Sequence, residues 1–413
     1  MIEWNEMHLG IRDAMRRFIA AEIVPKLDDL EHGDLPPYDI LRKLMKTFGI
    51  ADMARARFKH QIEKAKAREA AGEPPAPPRE LRASPEAANE AAMQLIPTIE
   101  LCRYSPGMVT AMGVSVGLTS AAINSKGTIR QRERWVPELM TLEKIGAWAI
   151  TEPGSGSDAF GGMKATARKD GDEYVLNGSK TFITNGPYAD TIVFICKLDE
   201  PGVEPRDRKI VSFVLDKGMP GLTQSKPLRK MGLHGSPTGE LFVEDLRCGR
   251  DRLIGETEDV KARSGAKDTF TMERTGVAAM ALGIVEECRQ RSIAYAKSRV
   301  QFGRPIGEFQ LIQDKLARME IARMNLQNLI FRQIELAGAG KAMSLAEASA
   351  CKLYAARAAM EVALEAVQLH GGNGYMAEYR VEQLCRDAKV LQIYGGTDEI
   401  QISQIARTLL AEA

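Results

Sequence analysis

The apolar residues change period twice along the chain, and this limits the possible folds more than any other feature. From Asn5 to about Phe48 they recur at helical spacing (Leu9, Met15, Phe18, Ile19, Ile23), with breaks at Pro25 and Pro36-Pro37, so two helices are expected. Small-residue helices return from Pro85 to Met140, where Gly113 and Gly117 permit close packing. At about Ala147 the pattern begins to alternate. Lys164–Leu176, Lys180–Thr184, Thr191–Lys197 and Ile210–Leu215 read as strands, separated by Asp170-Gly171-Asp172, the hairpin-type pair Asn177-Gly178, and Asn185-Gly186. Beyond about Lys261 the helical period resumes over 267–298, 308–337, 344–369, 377–391 and 398–411, with stops at Gly303, Gly338, Gly340, Gly371 and Gly372. The expected class is therefore α+β: an N-terminal helical domain (1–146), a central β domain (147–260) built as an antiparallel barrel or sandwich, and a C-terminal four-helix bundle (261–413). Such bundles often self-associate.

Composition narrows the functional classes. A chain of 413 residues is long enough for two or three domains. With 56 basic against 55 acidic residues, no global field draws it to nucleic acid or anionic lipid. No apolar run approaches the length of a membrane span, and the N-terminus mixes acids and bases on a helical period, so no membrane insertion and a cytoplasmic home are expected. The six cysteines form no CxxC pair and the five histidines are scattered, so neither a metal site nor a disulfide framework is supported. Residues 55–82 stand apart as a basic, proline-rich insertion, in which Arg55, Arg57, Lys59, Lys64, Lys66, Arg68, Arg79 and Arg82 outnumber four glutamates. It reads as a solvated helix followed by a proline-rich loop, with a structural or solubility role ahead of partner binding.

Gly154, Gly156 and Ala159 form a G-x-G-x-x-A string, which suggests dinucleotide binding only when a helix opens after it. Here an alternating strand follows. Two readings stay open for this loop: backbone amides and hydroxyls brought up to a phosphate or flavin ring, or a plain surface turn.

Six blocks, in order, carry a resemblance to a known family: Thr151–Asp158 (TEPGSGSD), Asn177–Gly186, Arg229–Leu241, Ser298–Ala317, Gln368–Tyr375 and Arg386–Gln401. Together they resemble the acyl-CoA dehydrogenases from about Gly127 to the C-terminus. The resemblance implies FAD held between the β domain and the C-terminal bundle, partly by a neighbouring subunit of a homotetramer or dimer. It implies that Trp148, Ile150, Thr151, Gly156, Ser157, Phe182, Ile183 and Thr184 lie along the flavin. Arg299, Gln310, Gln368, Gly371 and Gly372 would reach the adenine dinucleotide end, and Thr397 and Glu399 would meet the cofactor at a helix start. Ser157 and Arg274 would contact the CoA moiety, and Met231–Pro237 would border the mouth of the acyl pocket. Helix starts and glycine-opened amides suit pyrophosphate, and an arginine adds a permanent forked charge.

The base departs from the commonest family pattern. Many members carry a glutamate in the YxGT turn before the last helix, where this chain has Gly395. Other members, resembling the long-chain and isovaleryl enzymes, place the carboxylate in a Glu-Arg pair on the long helix that opens the C-terminal bundle, as Glu273-Arg274 is placed here. Phe270, Glu273, Val277, Ala281 and Ile284 fall on one helical stripe, so Glu273 is the single carboxylate on an apolar face. Desolvation there would raise its pKa toward the range of a general base; the alternative is a first-turn glutamate favoured by the helix dipole. The expected function is α,β-desaturation of an acyl-CoA thioester to a trans-2-enoyl-CoA. Glu273 takes the α-proton, the Gly395 N–H steadies the carbonyl oxygen, and electron-transferring flavoprotein is the acceptor implied by the resemblance. A flavin-dependent oxidase or monooxygenase on the same scaffold, or a non-catalytic acyl-CoA-binding subunit, are the competing expectations.

Overall fold

The computed structural model describes residues 3–33, 35–74, 83–259 and 262–411, with side chains in the last stretch described from Arg274 onward. The N-terminal region holds helices α1 (Glu6–Glu22), α2 (Leu27–Glu31), α3 (Tyr38–Thr47), α4 (Ile50–Ala70), α5 (Pro85–Cys102), α6 (Pro106–Met112), α7 (Ala121–Lys126) and α8 (Ile129–Met140). The early residues thus form three helices, not two, because a short turn of helix follows Pro25. Side chains cap the starts: Asn5 accepts from the His8 N–H at 2.9 Å, and Thr128 and Gln131 form a reciprocal capping box.

A π-helical stretch, Gly113–Ser120, joins α6 to α7. The Thr119 hydroxyl donates to the Val114 carbonyl at 2.9 Å, five residues back, adding a side-chain bond to this wider winding. The expectation of no span-length apolar stretch needs correcting here. Pro106–Lys126 is one continuous helical run that passes the test of length and composition for crossing a membrane, because serine, threonine and glycine interrupt the apolar residues without charging them. In the fold, part of this run is buried against β1, and the Ser115 hydroxyl accepts from the Gly146 N–H at 2.9 Å.

The basic insertion forms most of α4, and three of its bases pair with neighbouring elements. Arg55 pairs with Glu143, Arg57 with Glu90 at 2.7 Å and Lys66 with Glu133 at 2.6 Å. Phe58 and Ile62, one turn apart, are buried against Trp135 and Leu139 of α8, so the helix is solvated on one side and docked on the other. Residues 75–82 of the proline-rich segment lie outside the described residues.

The β region comprises β1 (Gly146–Ala149), β2 (Thr166–Asp170), β3 (Glu173–Thr184), β4 (Thr191–Leu198), β5 (Ile210–Asp216), β6 (Leu222–Gln224) and β7 (Thr238–Gly249) in one seven-stranded sheet. β4 is buried along its whole length. It pairs antiparallel with β5 and parallel with both β1 and β2, so the sheet is mixed where an all-antiparallel barrel or sandwich was expected.

One strand assignment also changes. The expected separator Asp170-Gly171-Asp172 does divide Lys164–Leu176: the chain reverses at Gly171-Asp172, where Gly171 alone takes positive φ (+62°), as a glycine in the first central position of a type II′ turn does. Asn177-Gly178, the expected hairpin, instead lies inside β3 at a bulge. Gly178 is needed there because a Cβ would sit 2.5 Å from the Ala165 Cβ, and the Asn177 side chain pairs with Asp245 of β7.

The C-terminal region holds α9 (Ala262–Ser298), α10 (Gln310–Gly338), α11 (Leu345–His370), α12 (Val381–Val390) and α13 (Asp398–Ala411), with a two-stranded arm, β8 (Val300–Gln301) and β9 (Arg304–Pro305), between α9 and α10. α11 begins with a capping box of Ser344 and Glu347. Its buried face is mostly alanine (Ala355, Ala359, Ala363, Ala366), which lets it lie close against Val277, Ala278, Ala281 and Val285 of α9. Apolar residues of α1, α3 and α5 complete this core, and a second cluster fills the sheet.

Candidate active site

Two of the sequence blocks meet at the end of β1. Trp148 is half-buried, Ile150 is buried, and Thr151 accepts through its carbonyl from the Thr181 N–H of β3 at 2.9 Å. Beneath them lies an ion pair that was not singled out in the sequence: Lys180, fully buried, donates to Glu152 at 2.9 Å and to the Ile150 carbonyl at 3.1 Å. The Glu152 carboxylate also accepts from the backbone N–H groups of Lys164 (2.7 Å) and Ala165 (2.9 Å). Burial pushes this carboxyl up, but the Lys180 charge and the hydrogen bonds from Lys180, Lys164 and Ala165 prevail and hold it below its ordinary value. Burial also draws the Lys180 ammonium below its ordinary value, while its two acceptors are those of the charged form. A lysine inside an alternating segment reads as solvent-facing, so no sequence signal marked it.

The loop above is open. Gly156 and Ser157 are exposed, and a Cβ added at Gly154 or Gly156 would meet nothing within 4 Å among the described residues. Phe182 projects from the same edge, 69% exposed, with φ at +56°. A bulky residue in the left-handed region carries strain, and such outliers gather at binding sites. Ile183 beside it is buried and Thr184 half-buried. Asn185, also at positive φ (+64°) and fully buried, donates to the Ala111 and Gly146 carbonyls, each at 2.9 Å, and accepts from the Tyr38 hydroxyl at 3.0 Å. It ties the end of β3 to α3, α6 and β1.

A second group forms where the β8–β9 arm meets the end of α11. Ile306 and Leu369 share a small apolar cluster, so the segment carrying Arg299 and Gln310, both exposed, lies against the one carrying Gln368, Gly371 and Gly372, also exposed. Asn373 fixes the junction by donating to the Tyr295 hydroxyl at 3.0 Å, and His370 stacks on Tyr295 at 4.4 Å. Phe302, at the arm's tip, is 94% exposed.

The third group is the turn Tyr394–Thr397. Gly395 and Gly396 take positive φ (+63° and +88°), and their carbonyls accept from the Gln401 side chain. Lys352, fully buried on α11, donates to the Gly396 carbonyl at 2.8 Å. The Gly395 N–H donates to no protein acceptor among the described residues. Thr397 caps α13 through the Ile400 N–H at 3.4 Å, and hydrogen bonds at this helix start hold the exposed Glu399 carboxyl below its ordinary value. The Tyr394 hydroxyl reaches Met280 Sδ at 3.4 Å, which brings the turn against α9.

Glu273 lies on α9, but its side chain falls outside the described residues. Of its stripe, Val277, Ala281 and Ile284 are buried. Arg274 is buried between α9 and α11 and donates to the Ser349 hydroxyl at 3.0 Å. Among the described residues, no group of three or more His, Cys, Asp or Glu could hold a metal ion.

These residues suit a large planar cofactor with a phosphate tail. An exposed aromatic on strained backbone and open glycines offer one surface for a ring, while an exposed arginine beside a glycine turn offers another for charge.

Comparison with known proteins identifies the family. Residues 147–246 match the middle domain of the acyl-CoA dehydrogenases, and residues 264–410 match their C-terminal domain. The chain is similar to an acyl-CoA dehydrogenase of Bacillus subtilis, 35% identical over 97% of both chains. It is also similar to the 3-(aryl)acrylate reductase of Clostridium sporogenes, 40% identical over 69% of this chain and 74% of that one. Among solved structures it resembles butyryl-CoA dehydrogenase from Megasphaera elsdenii, with a TM-score of 0.82 and 31% identity over 99% of this chain and 100% of that one. The likeness therefore extends through the N-terminal helices, where the motifs alone did not carry it. With two domain models covering most of the chain and a full-length relative above 30% identity, this protein belongs to the acyl-CoA dehydrogenase family of FAD-dependent oxidoreductases.

Proposed function

We propose that the chain desaturates an acyl-CoA thioester between its α and β carbons, giving a trans-2-enoyl-CoA, with Glu273 as the base. The observation that carries this reading is the contact of Tyr394 with Met280, because it sets the Gly395 turn beside α9, two turns along from Glu273. The α-proton of a thioester is too weakly acidic to leave unaided, so the site must stabilise charge growing on the carbonyl oxygen. The Gly395 N–H, with no protein acceptor among the described residues, is available for that task. Glu273 accepts the α-proton while Trp148, Thr151 and the Phe182–Thr184 segment hold the cofactor against the substrate. When bound, FAD supplies the acceptor for the hydride that leaves the β-carbon. Arg299, Gln310, Gln368, Gly371 and Gly372 would hold its adenine dinucleotide end, contributed by a neighbouring subunit, and Thr397 and Glu399 would meet it at the start of α13. Ser157 and Arg274 are assigned to the CoA side.

Exposed Ile321 and Met324 on α10, with Leu409 and Leu410 on α13, supply an apolar face for a homotetramer or dimer. Six free cysteines suit a reducing compartment such as the cytoplasm. Electron-transferring flavoprotein is the proposed acceptor.

The test is anaerobic flavin bleaching with a panel of acyl-CoA thioesters, on wild type and Glu273→Gln. Wild type should bleach with at least one chain length. The variant should keep FAD and acyl-CoA binding and lose desaturation by about 10²–10⁴-fold or more. Near-normal turnover in the variant refutes the base assignment, and rapid peroxide formation without an added acceptor makes the enzyme an oxidase.

A further inference from the structure

We infer that Glu152 and Lys180 form a positioning pair that sets the flavin-facing loop against the flavin-facing strand, an inference that rests on the reading of this surface as the FAD site. One carboxylate closes the base of the loop. Glu152 stands at its entrance, and Lys164 and Ala165, whose backbone N–H groups it accepts, stand at its exit. Between them, Pro153–Met163 bears the exposed Gly156 and Ser157. The loop's own bonds hold its shape. Glu152 and Ser155 exchange backbone hydrogen bonds at 3.0 and 3.1 Å, and Gly162 N–H donates to the Asp158 carbonyl at 2.9 Å. They do not fix the loop's placement relative to β3.

Lys180 supplies that placement. Its ammonium holds the Glu152 carboxylate and the Ile150 carbonyl together, two residues before Phe182 takes its left-handed backbone. The backbone bond from Thr181 to Thr151 adds a second rung directly above the pair. The Ile150–Ser157 and Phe182–Thr184 segments thus share one buried electrostatic anchor. A buried ion pair is a weak source of net stability, since desolvation of both charges offsets their attraction, whereas removing one partner strands the other. Its geometry is directional, and a site that must hold a ring to within a fraction of an ångström needs support of this kind.

The experiment uses full-length protein and compares wild type with Glu152→Gln, the paired variant Glu152→Gln/Lys180→Met, which strands no charge, and Glu152→Asp, which keeps the charge and shortens its reach. Four quantities are read: the thermal midpoint of the apoprotein, the FAD dissociation constant, the visible absorption of bound flavin, and the split between kcat and KM. The paired variant should unfold near the wild-type temperature yet bind FAD roughly tenfold or more weakly. Its flavin absorption bands should shift, and kcat should fall more than KM for acyl-CoA rises. Should the paired variant be insoluble, Glu152→Asp decides, with the same weakening and spectral shift expected. Wild-type FAD affinity within about twofold and an unchanged flavin spectrum in a folded variant overturn the pair's role while leaving the site intact. Failure of wild type itself to take up FAD overturns the reading of the site, and the inference with it.

Discussion

Asn185 shows how much one buried side chain can hold. Its amide donates to two backbone carbonyls from different helices and strands, its carbonyl receives the Tyr38 hydroxyl, and its own N–H donates to the Pro237 carbonyl at 2.7 Å. In Asn185→Ala three partners lose their bond in a dry setting, at roughly 1–3 kcal/mol for each group that no water reaches, and the left-handed backbone adds about 1–2 kcal/mol. The expected loss exceeds about 3 kcal/mol in denaturant unfolding, with FAD affinity also weakened because the residue follows Phe182–Thr184. Asn185→Gly should lose less, since it relieves the backbone while forfeiting the same bonds. A change below about 1 kcal/mol for the alanine variant would show that water replaces the amide. The sequence marked Asn185-Gly186 as a turn, which it is. It could not reveal that the amide bridges α3, α6 and β1, because those partners lie 39 to 147 residues away. Glu152 and Lys180 escaped notice for the same reason: each is ordinary in its own segment, and only the fold makes them a pair.

At the level of elements, helices were legible and strand pairing was not. The long C-terminal helices follow from local signals that the structure keeps, such as the Ser344–Glu347 capping box and the glycines after α10 and α11. The β2–β3 turn falls at the expected Asp170-Gly171-Asp172, but Asn177-Gly178 carries strong local turn chemistry as well, and only pairing with β7, more than sixty residues on, pulls it into a strand. Helix α9 offers a test of how packing overrides propensity. A Cβ on Gly283 would sit 2.3 Å from the Ile99 carbonyl oxygen of α5, whereas one on Gly276, two turns earlier, would meet nothing within 4 Å among the described residues. Propensity favours alanine at both positions. Gly283→Ala should nevertheless cost about 1–3 kcal/mol by forcing α5 and α9 apart, while Gly276→Ala should stabilise by about 0.4–1 kcal/mol. Denaturant midpoints of the two variants check this, and equal effects of one sign would mean that α5 and α9 do not approach as closely as described.

The whole molecule is joined at a charged junction of three regions. His234, in the loop between β6 and β7, bonds the Glu31 carbonyl at 2.6 Å and lies 3.4 Å from its carboxylate. Arg386 of α12 approaches the same carboxylate at 3.7 Å and donates to the Met231 carbonyl at 2.8 Å. Asp387, nearly fully buried, accepts from the Leu233 N–H at 2.5 Å, and Lys230 donates into the loop's own carbonyls. The hydrogen bond to Glu31, opposed by burial, lifts the His234 imidazole from 6.5 to about 9. The folded protein then keeps a proton that the unfolded chain releases, so this stabilisation is complete below pH 6.5 and lost as pH rises toward 9. Burial, and then Glu31, raises Asp387 from 3.8 to about 7, which also makes stability fall with pH, but only up to that value. Lys230, lowered by burial from 10.5 to about 8, acts in the opposite sense above pH 8. Between pH 7 and 8, therefore, His234 dominates among these groups. The wild-type thermal midpoint should fall across that interval, by the equivalent of at most about 1.4 kcal/mol per pH unit. His234→Gln keeps a neutral donor for the Glu31 carbonyl and removes the titration, so its midpoint should be nearly level from pH 7 to 8 and lie below wild type at pH 6. Parallel curves for the two proteins would mean that the junction is held by Arg386 and Asp387 without the imidazole. That outcome would move the N-terminal docking of α2 onto α12 alone.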